Sequence, residues 1–246
     1  MTGGRKLLIT GSAGRLGRHL CRELARHYDI SGFDRVANPD LTQQTVARLA
    51  DFAELRSACE HKDVVVHLAA NPGASTPWPE ILEANIEGTY HLFEAARLGG
   101  VRKVVFASTC QVTFGYGEHS NQTPSLVPRP TSLYAVSKVT GEMLAYRYAH
   151  EYAIDAICIR IGLFPESGRL PSSRQITGRF LGKRDAVQLF RRAIDAIGVR
   201  YAVVYGASDS SRLNLDLETA RNVLGYIPEE REDDLLTVSE TDSRSQ

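Results

Sequence analysis

Short apolar runs alternate with longer stretches whose apolar positions recur every three or four residues. The runs at 6–10, 30–33, 64–68, 103–107, 156–160 and 201–205 have the length and the β-branched content of buried strands. Between them, 15–27, 80–98 and 132–151 carry apolar residues at helical spacing. Strands separated by helices must re-enter the sheet from the same end, which predicts a parallel sheet covered on both faces. The expected fold class is α/β, a doubly wound parallel sheet with a small C-terminal lobe. The regular pattern loosens after Gly162, so 1–162 reads as the core, 163–228 as a mixed lobe plus the last strand and helix, and 229–246 as a polar tail that is partly disordered.

Two irregular stretches interrupt the pattern. The Pro-rich segment 123–130 reads as a loop that delivers the chain into the 132–151 helix. The segment 165–182, with glycines, serines and three arginines, reads as a surface or binding loop.

Composition changes this picture little. The 246 residues suffice for one substantial core, and 29 basic against 29 acidic residues leave no net field to recruit nucleic acid or a membrane. Cys21, Cys59, Cys110 and Cys158 are scattered without paired-ligand spacing, so neither a disulfide framework nor a metal site is expected. The first residues reach a polar glycine turn without the apolar core of a signal peptide, and no run has membrane-spanning length. A cytoplasmic protein acting on a small molecule is the expectation.

The chemistry begins at the first strand. Thr10 is followed by Gly11-Ser12-Ala13-Gly14-Arg15-Leu16-Gly17, three glycines that let the backbone approach a pyrophosphate at a helix N-terminus. The second strand ends in Asp34, whose carboxylate suits the adenosine ribose hydroxyls of NAD, while Arg35 beside it leaves NADP open. Asp51 and Phe52 are placed near the adenine, with a helix N-cap as the competing role for Asp51.

Tyr134 and Lys138 stand one helical turn apart, 25 residues after a strand that runs into Ser108 and Thr109. A cation beside a phenol favours the phenolate, so Tyr134 can act as a base toward an alcohol, with the Thr109 hydroxyl facing it.

These motifs, with H-L-A-A at 67–70, N-I-E-G-T from Asn85, F-A-S-T at 106–109 and Y-A-V-S-K from Tyr134, resemble the extended short-chain dehydrogenase/reductase family, which includes the NAD-dependent epimerases and dehydratases. The resemblance spans roughly 5–227 and implies a Rossmann-like fold. It assigns Tyr134 as the catalytic acid/base, Lys138 as the group that holds the nicotinamide ribose and lowers the Tyr134 pKa, and Thr109 as the hydrogen-bond partner of the reacting oxygen. Leu68, Ala69, Ala70 and Ile161 would line the cofactor's path. Asn85, in the same set, is expected to support the fold more than the chemistry.

Within that family the segments 78–88, 178–189 and 203–209 look like the uronate dehydrogenases, and Arg174 matches the arginine that clamps a substrate carboxylate there. The chain departs from that pattern at Cys110 and Gln111, where Asn and His are usual, and at Leu163, where a serine is usual. Such changes alter the substrate's hydroxyl contacts. Ser75 and Thr76 are further substrate-contact candidates. The implied activity is oxidation of a hydroxyl on a sugar or sugar-acid-like molecule by hydride transfer. An epimerase or dehydratase that recycles the hydride, and a dinucleotide-binding protein without turnover, remain open, and a homodimer or higher homo-oligomer through the two long helices is implied by the resemblance.

Overall fold

The structure, a computed structural model, describes residues 4–73, 75–117, 120–165 and 178–234. The apolar runs form strands β1 (Lys6–Thr10), β2 (Asp29–Asp34), β4 (Val64–His67), β5 (Lys103–Thr109), β6 (Asp155–Ile161) and β7 (Tyr201–Gly206), and a short edge strand β3 (Gln44–Val46) joins them. The sheet runs β3-β2-β1-β4-β5-β6-β7, parallel throughout. Chain order reverses between β1 and β4, where this doubly wound topology opens a crevice at the strand C-termini.

Helices cover both faces. On one, α1 (Arg15–Leu24), α6 (Lys183–Asp195) and α7 (Glu218–Leu224) pack Leu20, Leu24, Leu189, Phe190 and Leu224 against Leu7, Ile9, Val66, Val105 and Ile157. On the other, α2 (Phe52–Cys59), α4 (Gly88–Leu98) and α5 (Leu133–Glu151) pack Leu55, Phe93 and Tyr148 against Leu8, Val65, Val104 and Phe106. Leu7, Leu8 and Ile9 thus alternate between the two cores, as strand pleating requires.

The helix read at 80–98 is three segments in sequence: α3 (Trp78–Ile81), a π-helical stretch (Leu82–Glu87) and α4. α5 starts where Ser132 caps it, the side chain accepting from the Ala135 N–H at 3.2 Å. A Cβ at Gly141 would run into the Phe106 ring, so this glycine lets α5 lie directly on β5. That close approach sets Tyr134 and Lys138 over the C-terminal half of β5.

The sequence reading is corrected in two places. α1 ends at Leu24, three residues early, where His27 N–H turns back to the Leu24 carbonyl at 2.9 Å. β3 went unread because three half-exposed residues carry no usable period. The polar tail begins as docked chain: Glu229 and Glu230 donate backbone N–H groups to Asp185, and Glu232 is fully buried. Residues 235–246 lie outside the described residues.

Candidate active site

Gly11 turns the chain out of β1 with φ 72°, a conformation that favours glycine, and its N–H reaches the Phe33 carbonyl at 2.8 Å. A Cβ there would lie 2.7 Å from the Ala69 nitrogen, so the turn packs against β2 and the β4 loop at once. In α1 the Arg18 N–H donates to the Gly14 carbonyl at 2.9 Å, and no side chain caps the helix. The amides of Arg15 and Leu16 therefore remain as donors at a positive helix end, the arrangement that receives a phosphate.

Asp34 faces this turn. One carboxylate oxygen accepts from the Ala13 N–H at 2.9 Å and the other from the Val36 N–H at 3.2 Å, which fixes the group and leaves each oxygen further acceptor capacity. A cleft of about 490 Å³ opens here, lined by Gly11, Ala13, Gly14, Asp34, Arg35, Leu68, Ala69 and Ala70. The glycine cradle, the uncapped helix end and the fixed Asp34 carboxylate fit a dinucleotide.

Asp51 and Phe52 are not among the residues that line this cleft. The cleft wall beyond β3 is made by Arg48, Leu49 and Ala50. Asp51 turns its carboxylate back to the Arg48 N–H at 2.9 Å, and Phe52 packs into the core and against His91. Asn85, 3% exposed, is consumed by structure: its amide accepts from Asn71 N–H at 2.7 Å and donates to the Asn71 carbonyl and to Ser137 Oγ, both at 3.1 Å. It ties the β4 loop to α5 from within the π-helical stretch. Arg48 and Asn71, both on the cleft, were missed because nothing in their local pattern marks them.

At the other end of the crevice, Lys138 is 3% exposed, with Nζ 4.9 Å from the centroid of the Phe106 ring and 5.7 Å from that of Tyr134. Burial lowers the Lys138 pKa to about 7. Burial also raises Tyr134 above its ordinary value, and the Cys110 thiol adds to the rise. The expectation that Lys138 lowers the Tyr134 pKa is thus not met here, because desolvation weakens the cation and the phenolate alike.

Beneath the pair lies His67, fully buried, held neutral first by burial and then by the Lys138 charge. Thr89 Oγ1 donates to the Asn85 carbonyl at 2.5 Å, so His67 Nε2 is the donor in its 3.2 Å bond to Thr89. Nδ1 then accepts from Thr10 Oγ1 at 2.7 Å. The imidazole thereby links the residue before the glycine turn to α4.

Thr109 ends β5 with its Oγ1 accepting from the Gln111 N–H at 3.3 Å, leaving its proton to donate. Behind it a buried network joins three elements: Arg160 of β6 forks onto Glu142 of α5 at 2.9 and 2.8 Å, and Ser108 of β5 donates to the same carboxylate at 2.6 Å. Glu142 is two turns beyond Tyr134 on α5, so this pairing locks the register of the helix that carries the candidate base.

On the expected substrate side, Cys110 is 5% exposed and its thiol is raised to about 11 by burial, against a smaller lowering by Arg179. Burial thus favours the protonated thiol, which disfavours a nucleophilic role. Gln111 Oε1 accepts from Ser132 Oγ at 3.5 Å, and Ile161 pairs in register with Thr109. Leu163 bridges to Phe180, its N–H donating to the Arg179 carbonyl at 2.7 Å. Ser75 is exposed, whereas Thr76 spends its hydroxyl on Asn71 Oδ1 at 3.1 Å. Arg174 lies outside the described residues. Among the described residues no group of three or more His, Cys, Asp or Glu is placed to hold a metal ion.

Residues 7–165 match the model of the NAD dependent epimerase/dehydratase family. The chain is 32% identical over 245 residues to the NAD-dependent glucose-6-phosphate dehydrogenase of Haloferax volcanii, covering 91% of this chain and 93% of that one. It is 36% identical over 235 residues to a uronate dehydrogenase of Pseudomonas putida, covering 92% and 84%. The crystal structure of a glucuronic acid dehydrogenase from Chromohalobacter salexigens superposes with a TM-score of 0.88 at 30% identity, covering 96% of this chain and 89% of the other.

Proposed function

The chain belongs to the NAD dependent epimerase/dehydratase family, and from that premise we propose that it is an NAD-dependent dehydrogenase that oxidises a hydroxyl of a sugar or sugar-acid-like molecule. The observation that carries this reading is Tyr134 and Lys138 on one face of α5, over the strand that ends in Thr109 and at the far end of the crevice from the glycine turn. The turn at Gly11 and Gly14 and the amides of Arg15 and Leu16 hold the pyrophosphate, Asp34 the adenosine ribose, and Lys138 the nicotinamide ribose. The bound dinucleotide supplies a hydride acceptor. Tyr134 takes the hydroxyl proton as the carbon loses hydride, and Thr109 donates to the reacting oxygen and orients it.

Asp34 favours NAD. Arg35 and Arg48, both on the same cleft wall, support some use of NADP. The family also contains hydride-recycling epimerases, which the same residues would serve.

Assembly is read from an apolar stripe. Leu133, Val136, Met143 and Tyr146 on α5, with Tyr90 and Leu98 on α4, are exposed on the two long helices and support a homodimer through them. Among the described residues no helix is long and apolar enough to cross a membrane. The four cysteines are free and buried, which suits a reducing cytoplasm.

The test follows reduced-dinucleotide absorbance when purified protein meets NAD or NADP and a panel of uronates, aldoses, sugar phosphates and simple alcohols. NAD reduction that needs both substrate and Tyr134 supports the dehydrogenase. NAD retained through purification, with product isomerised and no net reduction, replaces it with the recycling enzyme.

A further inference from the structure

Two arginines are almost fully buried here, Arg160 near the C-terminal end of β6 and Arg179 beyond it, and they differ in one respect. Arg160, 2% exposed, forks onto Glu142. Arg179, 5% exposed, has no carboxylate within ion-pairing distance among the described residues. Its guanidinium makes one long bond, Nε to Asn214 Oδ1 at 3.4 Å, and lies 4.3 Å from the centroid of the Phe114 ring. An arginine keeps its charge at any working pH, and a buried charge without a counter-charge is costly, so such a group is normally paired. Four of the five donors of Arg179 make no bond to a described residue.

Its position relates it to the reacting centre. Phe114 stands in the turn that begins at Cys110, directly after Thr109. The Arg179 carbonyl is held by Leu163, two residues beyond the end of β6. Cys110 and Phe114 pack in one apolar cluster, so the Arg179 guanidinium on the Phe114 ring lies beside the turn that leaves Thr109.

We propose that Arg179 supplies the missing half of an ion pair to the substrate itself: the molecule oxidised at Tyr134 carries an oxyanion substituent, a carboxylate or a phosphate, and Arg179 determines specificity by binding it. This rests on the dehydrogenase reading for the site and adds the substrate's charge. A planar guanidinium fork matches two oxygens of either group. It also explains a buried cation stacked on an aromatic ring where a neutral sugar would gain nothing from it. Sequence reading counted Arg179 among the three arginines of a binding loop without singling it out, because burial leaves no mark in a loop's sequence.

The test is calorimetric binding of glucuronate, glucose 6-phosphate and glucose to the NAD-loaded protein, for wild type, Arg179→Gln and Arg179→Lys, with NAD affinity and circular dichroism as the control for folding. The expected result is that glucuronate or glucose 6-phosphate binds at least tenfold tighter than glucose, and the stronger of the two identifies the oxyanion. Arg179→Gln brings that ligand to within about threefold of glucose while NAD affinity holds. Arg179→Lys, which keeps charge but not the fork, loses at least threefold for the anion and nothing for glucose; it decides the matter alone if the glutamine variant does not fold. Glucose binding as tightly as both anions, absence of anion binding, or an anion preference unchanged in a folded variant each overturns the proposal. Reduced dinucleotide is followed in the same samples. Anion preference without NAD reduction removes the dehydrogenase and leaves Arg179 standing, whereas reduction with neutral sugars alone does the reverse.

Discussion

The ammonium of Lys138 lies 5.7 Å from the centroid of the Tyr134 ring, one turn away on α5, and burial moves the two groups toward their neutral forms. Both therefore depend on the site's charge environment to ionise, which links stability to pH. The folded-state pKa of Lys138, about 7, is below its ordinary 10.5, so between those values the unfolded chain binds the extra proton. The burial penalty is present in full below about pH 7 and is relieved as pH rises toward 10.5.

Urea unfolding of the dinucleotide-free protein should therefore show Lys138 contributing a gain of about 2 kcal/mol between pH 7 and roughly pH 8.5. Lys138→Met should remove that component of the slope. Parallel pH profiles for wild type and variant would show that the ammonium is not desolvated.

The Glu142 and Arg160 pair makes a different prediction. Glu142→Gln leaves the Arg160 guanidinium buried beside a neutral amide and should cost about 3–5 kcal/mol in unfolding free energy. The double replacement Glu142→Leu with Arg160→Met should cost clearly less than the sum of its single changes. Simple additivity would mean the pair is not an energetic unit.

Asp34 governs the dinucleotide. Asp34→Asn removes a charge that would repel a ribose phosphate while Arg35 and Arg48 stay on the same wall. The ratio of NAD to NADP affinity, measured by fluorescence titration, should fall at least tenfold. An unchanged ratio would place the adenosine ribose away from this carboxylate.

Much of this site could be read from residue order because its parts are local. The glycine turn, Asp34 after β2, and Tyr134 with Lys138 each occupy a short stretch whose spacing has one geometric meaning. What escaped was long-range. Arg48 comes to the cleft through a three-residue strand, and Arg179 is buried against Phe114 and Asn214, which are distant from it in sequence. The direction of the Tyr134 shift differs from the expectation for a related reason: spacing reveals the neighbouring cation, while the desolvation that raises the phenol exists only once α5 lies on β5.

The most direct test of the central claim uses a sugar acid deuterated at the oxidised carbon, incubated with excess NAD and followed by proton NMR and absorbance. The prediction is accumulation of reduced dinucleotide bearing the deuterium, in step with oxidised product, and a loss of at least about 100-fold in Tyr134→Phe at unchanged NAD affinity. Product that retains the deuterium without net dinucleotide reduction, or a Tyr134→Phe protein as fast as wild type, would contradict it.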